Sequence, residues 1–162
     1  RQGGTGTRSE EESQPQTLPD KFESGNHNAP GLVGLRAALE YVRDQGVSQL
    51  RQHELQLTAR LIEGLRELSG FELPGPAEVE ARVGVVSLVN PLVEPQVLAS
   101  ILDENFGIQT RAGLHCAPRI HRAIRSRESG GTLRFSPGPF TTMSQIEAAI
   151  SAMHELADSF QF

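Results

Sequence analysis

With a single cysteine among its 162 residues the chain cannot form an internal disulfide, and of its fifteen basic residues only Lys21 is a lysine. The first scarcity excludes a small secreted disulfide scaffold and leads us to expect a reducing, cytoplasmic setting. No apolar stretch approaches the length of a membrane span, and the opening residues lack the apolar core of a signal peptide. There is also no basic run. A formal charge of −5, with acidic residues in both halves, gives no electrostatic footprint for nucleic acid or an anionic membrane. No internal repeat or heptad run is present. The shortage of lysine and a start without methionine read as those of a fragment of a longer protein.

What is there falls into two parts. Residues 1–29 are rich in Gly, Ser, Thr, Pro and Gln with an acidic cluster at Glu10 to Glu12. Such a segment cannot build a core alone, although Phe22 to Pro30 has the dense polar character of a shaped loop. Pro30 then opens a helix that ends near Gly46.

From Val47 the apolar residues recur at helical spacing to about Ser69, with Val47, Leu50, Leu57, Leu61, Leu65 and Leu68 inward and Gly70 as a cap. Strands are then expected at Phe71–Leu73, Val83–Val89, Ile108–Arg111 and Thr132–Ser136. Between them a helix begins at Pro95, with Val97, Leu98, Ile101 and Leu102 inward, and closes at Gly107. Thr142 opens the last helix with Gln145 three residues on, a capping-box spacing. Ile146, Ala149, Ile150, Met153 and Leu156 form its inward face. The order predicts an α+β layer of helices on a small sheet.

The one thiol, Cys116, sits in Arg111-Ala-Gly-Leu-His-Cys-Ala-Pro118, where a strand gives way to a loop and a short helix. A preceding histidine, a nearby arginine and a following helix N-terminus each favour the charged form of a thiol, which is the nucleophilic form. The alternative is a small buried core residue. His115, beside the thiol, is the histidine placed for a functional contact; His27 and His121 read as loop and helix-surface residues, and His53 as a partly exposed polar residue. No metal-binding spacing is present. His115 to Arg122 also matches the His-Cys-x5-Arg signature of cysteine-dependent phosphatases. That match reads as accidental, because Pro118 removes a backbone donor and Ile120 occupies the place of a glycine. Gly3-Gly-Thr-Gly-Thr7 is weak as a phosphate loop, having neither a preceding strand nor a Gly-Lys-Ser/Thr ending.

Taken in order, Phe22-Glu-Ser-Gly-Asn-His-Asn28, Arg111-Ala-Gly-Leu-His-Cys116 and Leu133-Arg-Phe-Ser136 ahead of Phe140-Thr-Thr142 resemble the cysteine desulfurases. These are class V aminotransferases with the fold of the large type I pyridoxal-phosphate enzymes. The resemblance covers nearly the whole chain, including the helix with His53 and Glu54. It implies that residues 1–43 are the end of a large cofactor-binding domain and that 44–162 are the C-terminal small domain, helices packed on a small mixed sheet.

The resemblance also implies chemistry. The cofactor is pyridoxal 5'-phosphate, held by a lysine upstream of the glycine-rich stretch that Lys21 does not match, so the fragment alone is expected to be inactive. Cys116 matches the nucleophile that takes sulfur from L-cysteine, leaving alanine and a protein persulfide. Arg134 matches the arginine that pairs with the substrate carboxylate, with Arg111 and His115 as further substrate-binding residues. Gly25 and Asn26 match a loop that reaches across a homodimer to the partner's cofactor phosphate, and a sulfur-acceptor protein is an implied partner. Three departures stand out. Asn26 replaces the usual threonine but can still donate a hydrogen bond; Pro137-Gly-Pro139 and Thr141 also differ from the family's habit. A selenocysteine lyase, an aminotransferase, and a non-catalytic interaction or sulfur-carrier module therefore remain alternative readings.

Overall fold

The computed structural model describes all residues except 1–3, 6, 7, 9, 24, 161 and 162, so Gly3, Gly6 and Thr7 of the glycine-rich stretch and Ser24 lie outside the described residues. The chain divides into two compact units, Arg1–Val47 and Ser48–Phe162.

In the first unit a loop segment precedes helix α1, Ala29–Gln45. Gly25 N donates to Gly4 O at 3.0 Å. Asn28 caps the helix by accepting from Gly31 N at 3.0 Å, and Pro30 occupies the first turn, where its missing N–H removes no intrahelical bond. No residue of α1 is buried, and Leu32, Val33, Leu35 and Leu39 are all more than half exposed.

The second unit holds α2 (Val47–Leu65), β1 (Val86–Leu88), α3 (Pro95–Phe106), β2 (Arg111–Gly113), α4 (Pro118–Ala123), β3 (Thr132–Phe135) and α5 (Met143–Phe160). The sheet runs β1-β3-β2, and both pairings are antiparallel where a mixed sheet was expected. Helices α2, α3 and α5 supply Leu57, Leu61, Leu98, Leu102, Ile150 and Met153 to one core, which meets Val86, Leu88, Leu133 and Phe135 from the strands. Each such leucine, fully buried, contributes about 1.5–3 kcal/mol. Side chains alternate along a strand, so burying Leu133 and Phe135 against the helices turns Thr132 and Arg134 to the opposite face. That second face carries the site.

The helix faces follow the expected periodicity, with the inward positions of α5 all buried. The capping box forms as well: Thr142 N donates to Gln145 Oε1 at 2.8 Å and Gln145 N to Thr142 Oγ1 at 3.3 Å. The strands depart from expectation. Phe71–Leu73 contributes a single bridge, Glu72 to Val89, and the expected strand over 83–89 shortens to three residues, with Val83 64% exposed. Strand β2 begins at Arg111, where the expected strand ended. Val47 and Val97, expected inward, are exposed, each lying in the first turn of its helix.

Candidate active site

Cys116 lies at the tip of a tight turn. Ala117 N donates to Leu114 O at 2.8 Å, closing a four-residue turn over His115 and Cys116, whose φ values are 52° and 58°. Positive φ at both central positions is the pattern of a type I′ turn, which Asn-Gly ordinarily fills. Two side-chain-bearing residues there store backbone strain of about 1–2 kcal/mol each. The result is an exposed thiol held on a short, closed turn. Arg111, at the start of β2, reaches it: Arg111 Nη2 donates to Cys116 Sγ at 3.7 Å.

The register of the sheet brings a second arginine beside the first. Arg111 is directly opposite Arg134, and Arg134 is opposite Ser87 on its other side. Arg134 is half-buried and donates through Nε to Ser136 Oγ at 3.1 Å, which leaves most of its guanidinium donors free for a ligand. No acidic side chain forms an ion pair with either arginine among the described residues.

His115 points back onto the sheet. Its Nε2 lies 2.8 Å from the hydroxyl of Thr132, the first residue of β3. Burial, and after it the neighbouring Arg134, His121 and Arg111, hold its pKa below the ordinary 6.5, so the ring is neutral at neutral pH. His121 corrects the expectation of a helix-surface residue: it is 2% exposed, with Nδ1 2.7 Å from Ser126 Oγ. Helix α4 has only six residues, and its inner side faces the cysteine turn rather than solvent. Thr132, His121 and Ser126 were not legible as site residues, since nothing local marks a histidine five residues past a cysteine as buried.

The second unit thus brings Arg111, His115, Cys116 and Arg134 together. Gly25 and Asn26 lie in the first unit. Gly25 has φ +77° with open space where a Cβ would stand, and Asn26 is exposed. His53 is half-buried, its Nε2 2.9 Å from Thr141 O, and so anchors the segment that follows Arg134. No group of three metal-ligating side chains occurs among the described residues, and no described helix is long and apolar enough to cross a membrane.

Residues 2–149 match the family described as Aminotransferase class-V, and the chain belongs to that family. Among its curated relatives, a probable cysteine desulfurase of Pyrococcus abyssi is 33% identical over 145 residues, covering 88% of this chain and 34% of that protein. One from Xylella fastidiosa is 37% identical over 137 residues, covering 85% and 32%. The apo structure of a cysteine desulfurase from Thermococcus onnurineus NA1 superposes with a TM-score of 0.79 at 31% identity, over 91% of this chain and 35% of that one. The chain therefore spans about a third of the length of the relatives it matches, in their C-terminal part.

Proposed function

We propose that the intact protein is a pyridoxal-phosphate-dependent cysteine desulfurase in which this chain supplies the sulfur-accepting cysteine and the substrate-carboxylate site. The observation that carries the reading is the exposed Cys116 thiol within 3.7 Å of Arg111, itself paired in register with Arg134. Two adjacent arginines without acidic partners suit a planar carboxylate, and an exposed thiol beside them is within reach of the sulfur of the same amino acid.

The residues of the first unit fit a phosphate. Gly25 has no side chain to block close approach, its own N–H being spent on Gly4 O, and the Asn26 amide supplies a donor, so these two would line the phosphate of pyridoxal 5'-phosphate in a homodimer. When bound, that cofactor supplies an electron sink for charge developing at the substrate Cα. The chain's own residues do the rest. Arg134 and Arg111 orient the amino acid by its carboxylate, and Cys116 Sγ bonds to the substrate sulfur as the carbon–sulfur bond breaks, leaving alanine and a persulfide. His115, neutral and tied to Thr132, fixes the turn that presents the thiol but lends it no positive charge, so it does not support the nucleophile in the way expected of a preceding histidine.

Incubating the intact, cofactor-loaded protein with L-cysteine tests this. Alanine should appear together with one extra sulfur atom on Cys116 by mass spectrometry, before any acceptor protein is added. Alanine formation with no sulfur on Cys116 would instead favour a class V lyase or transaminase with another substrate.

A further inference from the structure

The rings of His115 and His121 stand with centroids 5.5 Å apart, tilted by 42°. Each commits one nitrogen to a hydroxyl, His115 Nε2 to Thr132 and His121 Nδ1 to Ser126. The other nitrogen of each, His115 Nδ1 and His121 Nε2, is buried and has no protein partner. Buried polar atoms are nearly always bonded, and where protein supplies no partner an internal water does.

We propose that one buried water is shared by His115 Nδ1 and His121 Nε2, and that through it His121 is a positioning residue for the turn bearing Cys116. The two proton-bearing arms of a water then serve two ring acceptors. It follows that His115 carries its proton on Nε2 and donates to Thr132 Oγ1, while His121 carries its proton on Nδ1 and donates to Ser126 Oγ. The charged or titratable groups around His115 are Arg134 on β3, Arg111 on β2 and His121 on α4; the two arginines disfavour a charged His115 ring, which agrees with its Nδ1 acting as an acceptor. A continuous chain, Thr132–His115–water–His121–Ser126, ties the start of β3 and the loop after α4 to a turn whose backbone is strained. Ser126 is itself fixed, its N–H donating to His121 O at 3.0 Å and its carbonyl accepting from Gly131 N at 2.8 Å.

The role of His121 rests on the reading of Cys116 as the sulfur nucleophile; the water does not. Three substitutions in the intact protein separate the two arms of the His121 ring. Gln places its amide near Nε2, Asn places its amide near Nδ1, and Phe keeps the shape with neither. His121→Phe should lower kcat for L-cysteine by roughly tenfold to a hundredfold, the cost of a small misplacement of a reacting group, with KM unchanged. His121→Gln should recover most of that loss and His121→Asn little of it. Recovery by Asn and not by Gln would overturn the proposal, since the Ser126 bond alone would then explain the position. If the variants fail to fold, the wild type still decides: a crystal structure that resolves ordered water and nitrogen-15 spectra of the imidazoles should show the water and the two stated tautomers. An empty gap, a direct ring-to-ring bond, or a proton on His115 Nδ1 would overturn it. Alanine formation by the wild type with no persulfide on Cys116 would count against Cys116 as nucleophile and leave the test of the water intact.

Discussion

Arg111 and Arg134 stand directly opposite each other on neighbouring antiparallel strands, and Arg111 also donates to the thiol of Cys116. Like charges in that position are ordinarily destabilising, and no described acidic side chain offsets them by an ion pair. A bound carboxylate would offset both at once. The arrangement is therefore a cost to the fold that a bound carboxylate would relieve.

Replacing Arg134 with alanine should raise KM for L-cysteine by about tenfold to a hundredfold, the equivalent of one charge-assisted hydrogen bond of about 1.5–3 kcal/mol. The same change should leave the urea midpoint of the protein level or slightly higher, because Arg111 loses a facing cation. A KM that does not move, read from steady-state kinetics, would remove Arg134 from the substrate site.

Cys116→Ala should abolish sulfur transfer while retaining substrate binding, since on the proposed reading the thiol would act on an amino acid already held by the arginines. Cys116→Gly should be equally inactive yet more stable than Cys116→Ala by roughly 1 kcal/mol, because glycine alone adopts a φ near 58° without strain. Chemical denaturation of the two variants makes the comparison. Equal stabilities would mean that the turn is not strained at this position.

Burial and neighbouring positive charges lower the pKa of His115 from 6.5. In the window just below pH 6.5 the unfolded chain binds that proton more readily than the folded one, so stability falls as pH falls there and is independent of this group above it. His115→Gln should flatten that part of the profile of denaturation midpoint against pH. An unchanged slope in the variant would assign the dependence to another group.

Gly131 has φ +116°, and a Cβ on it would collide with the carbonyl of Gly113 across the β2–β3 pair. Gly131→Ala should therefore destabilise by about 3 kcal/mol or more, through strain and a displaced strand, and should slow sulfur transfer because β2 carries Arg111. Circular dichroism and urea unfolding measure the first effect. A loss under about 1 kcal/mol would show that β2 can move away freely.

Much of this was local enough to be read from the chain. The capping box at Thr142 and Gln145, the Gly107 helix stop and the buried stripe of α5 depend on residues within a turn or two of one another. That a loop carries Cys116 was legible for the same reason, but the tight turn with positive φ at His115 and Cys116 was not, because neither residue type favours it. Strand lengths were not, because a strand ends where its partner ends, and three-residue pairings leave Val83 and Phe71 outside the ladder although their letters suit it.

The sequence by itself determined the long helices, the α+β class and a single thiol in a loop between a glycine and a proline, since periodicity, caps and turn chemistry act over a few residues. Only the tertiary structure decided that Arg111 meets Arg134, that Thr132 receives His115 across seventeen positions, and that His121 is buried. The physical reason is register. Once Leu133 and Phe135 face the helices, every alternate side chain of β3 must face the cysteine turn, and α4 must close over what they leave uncovered.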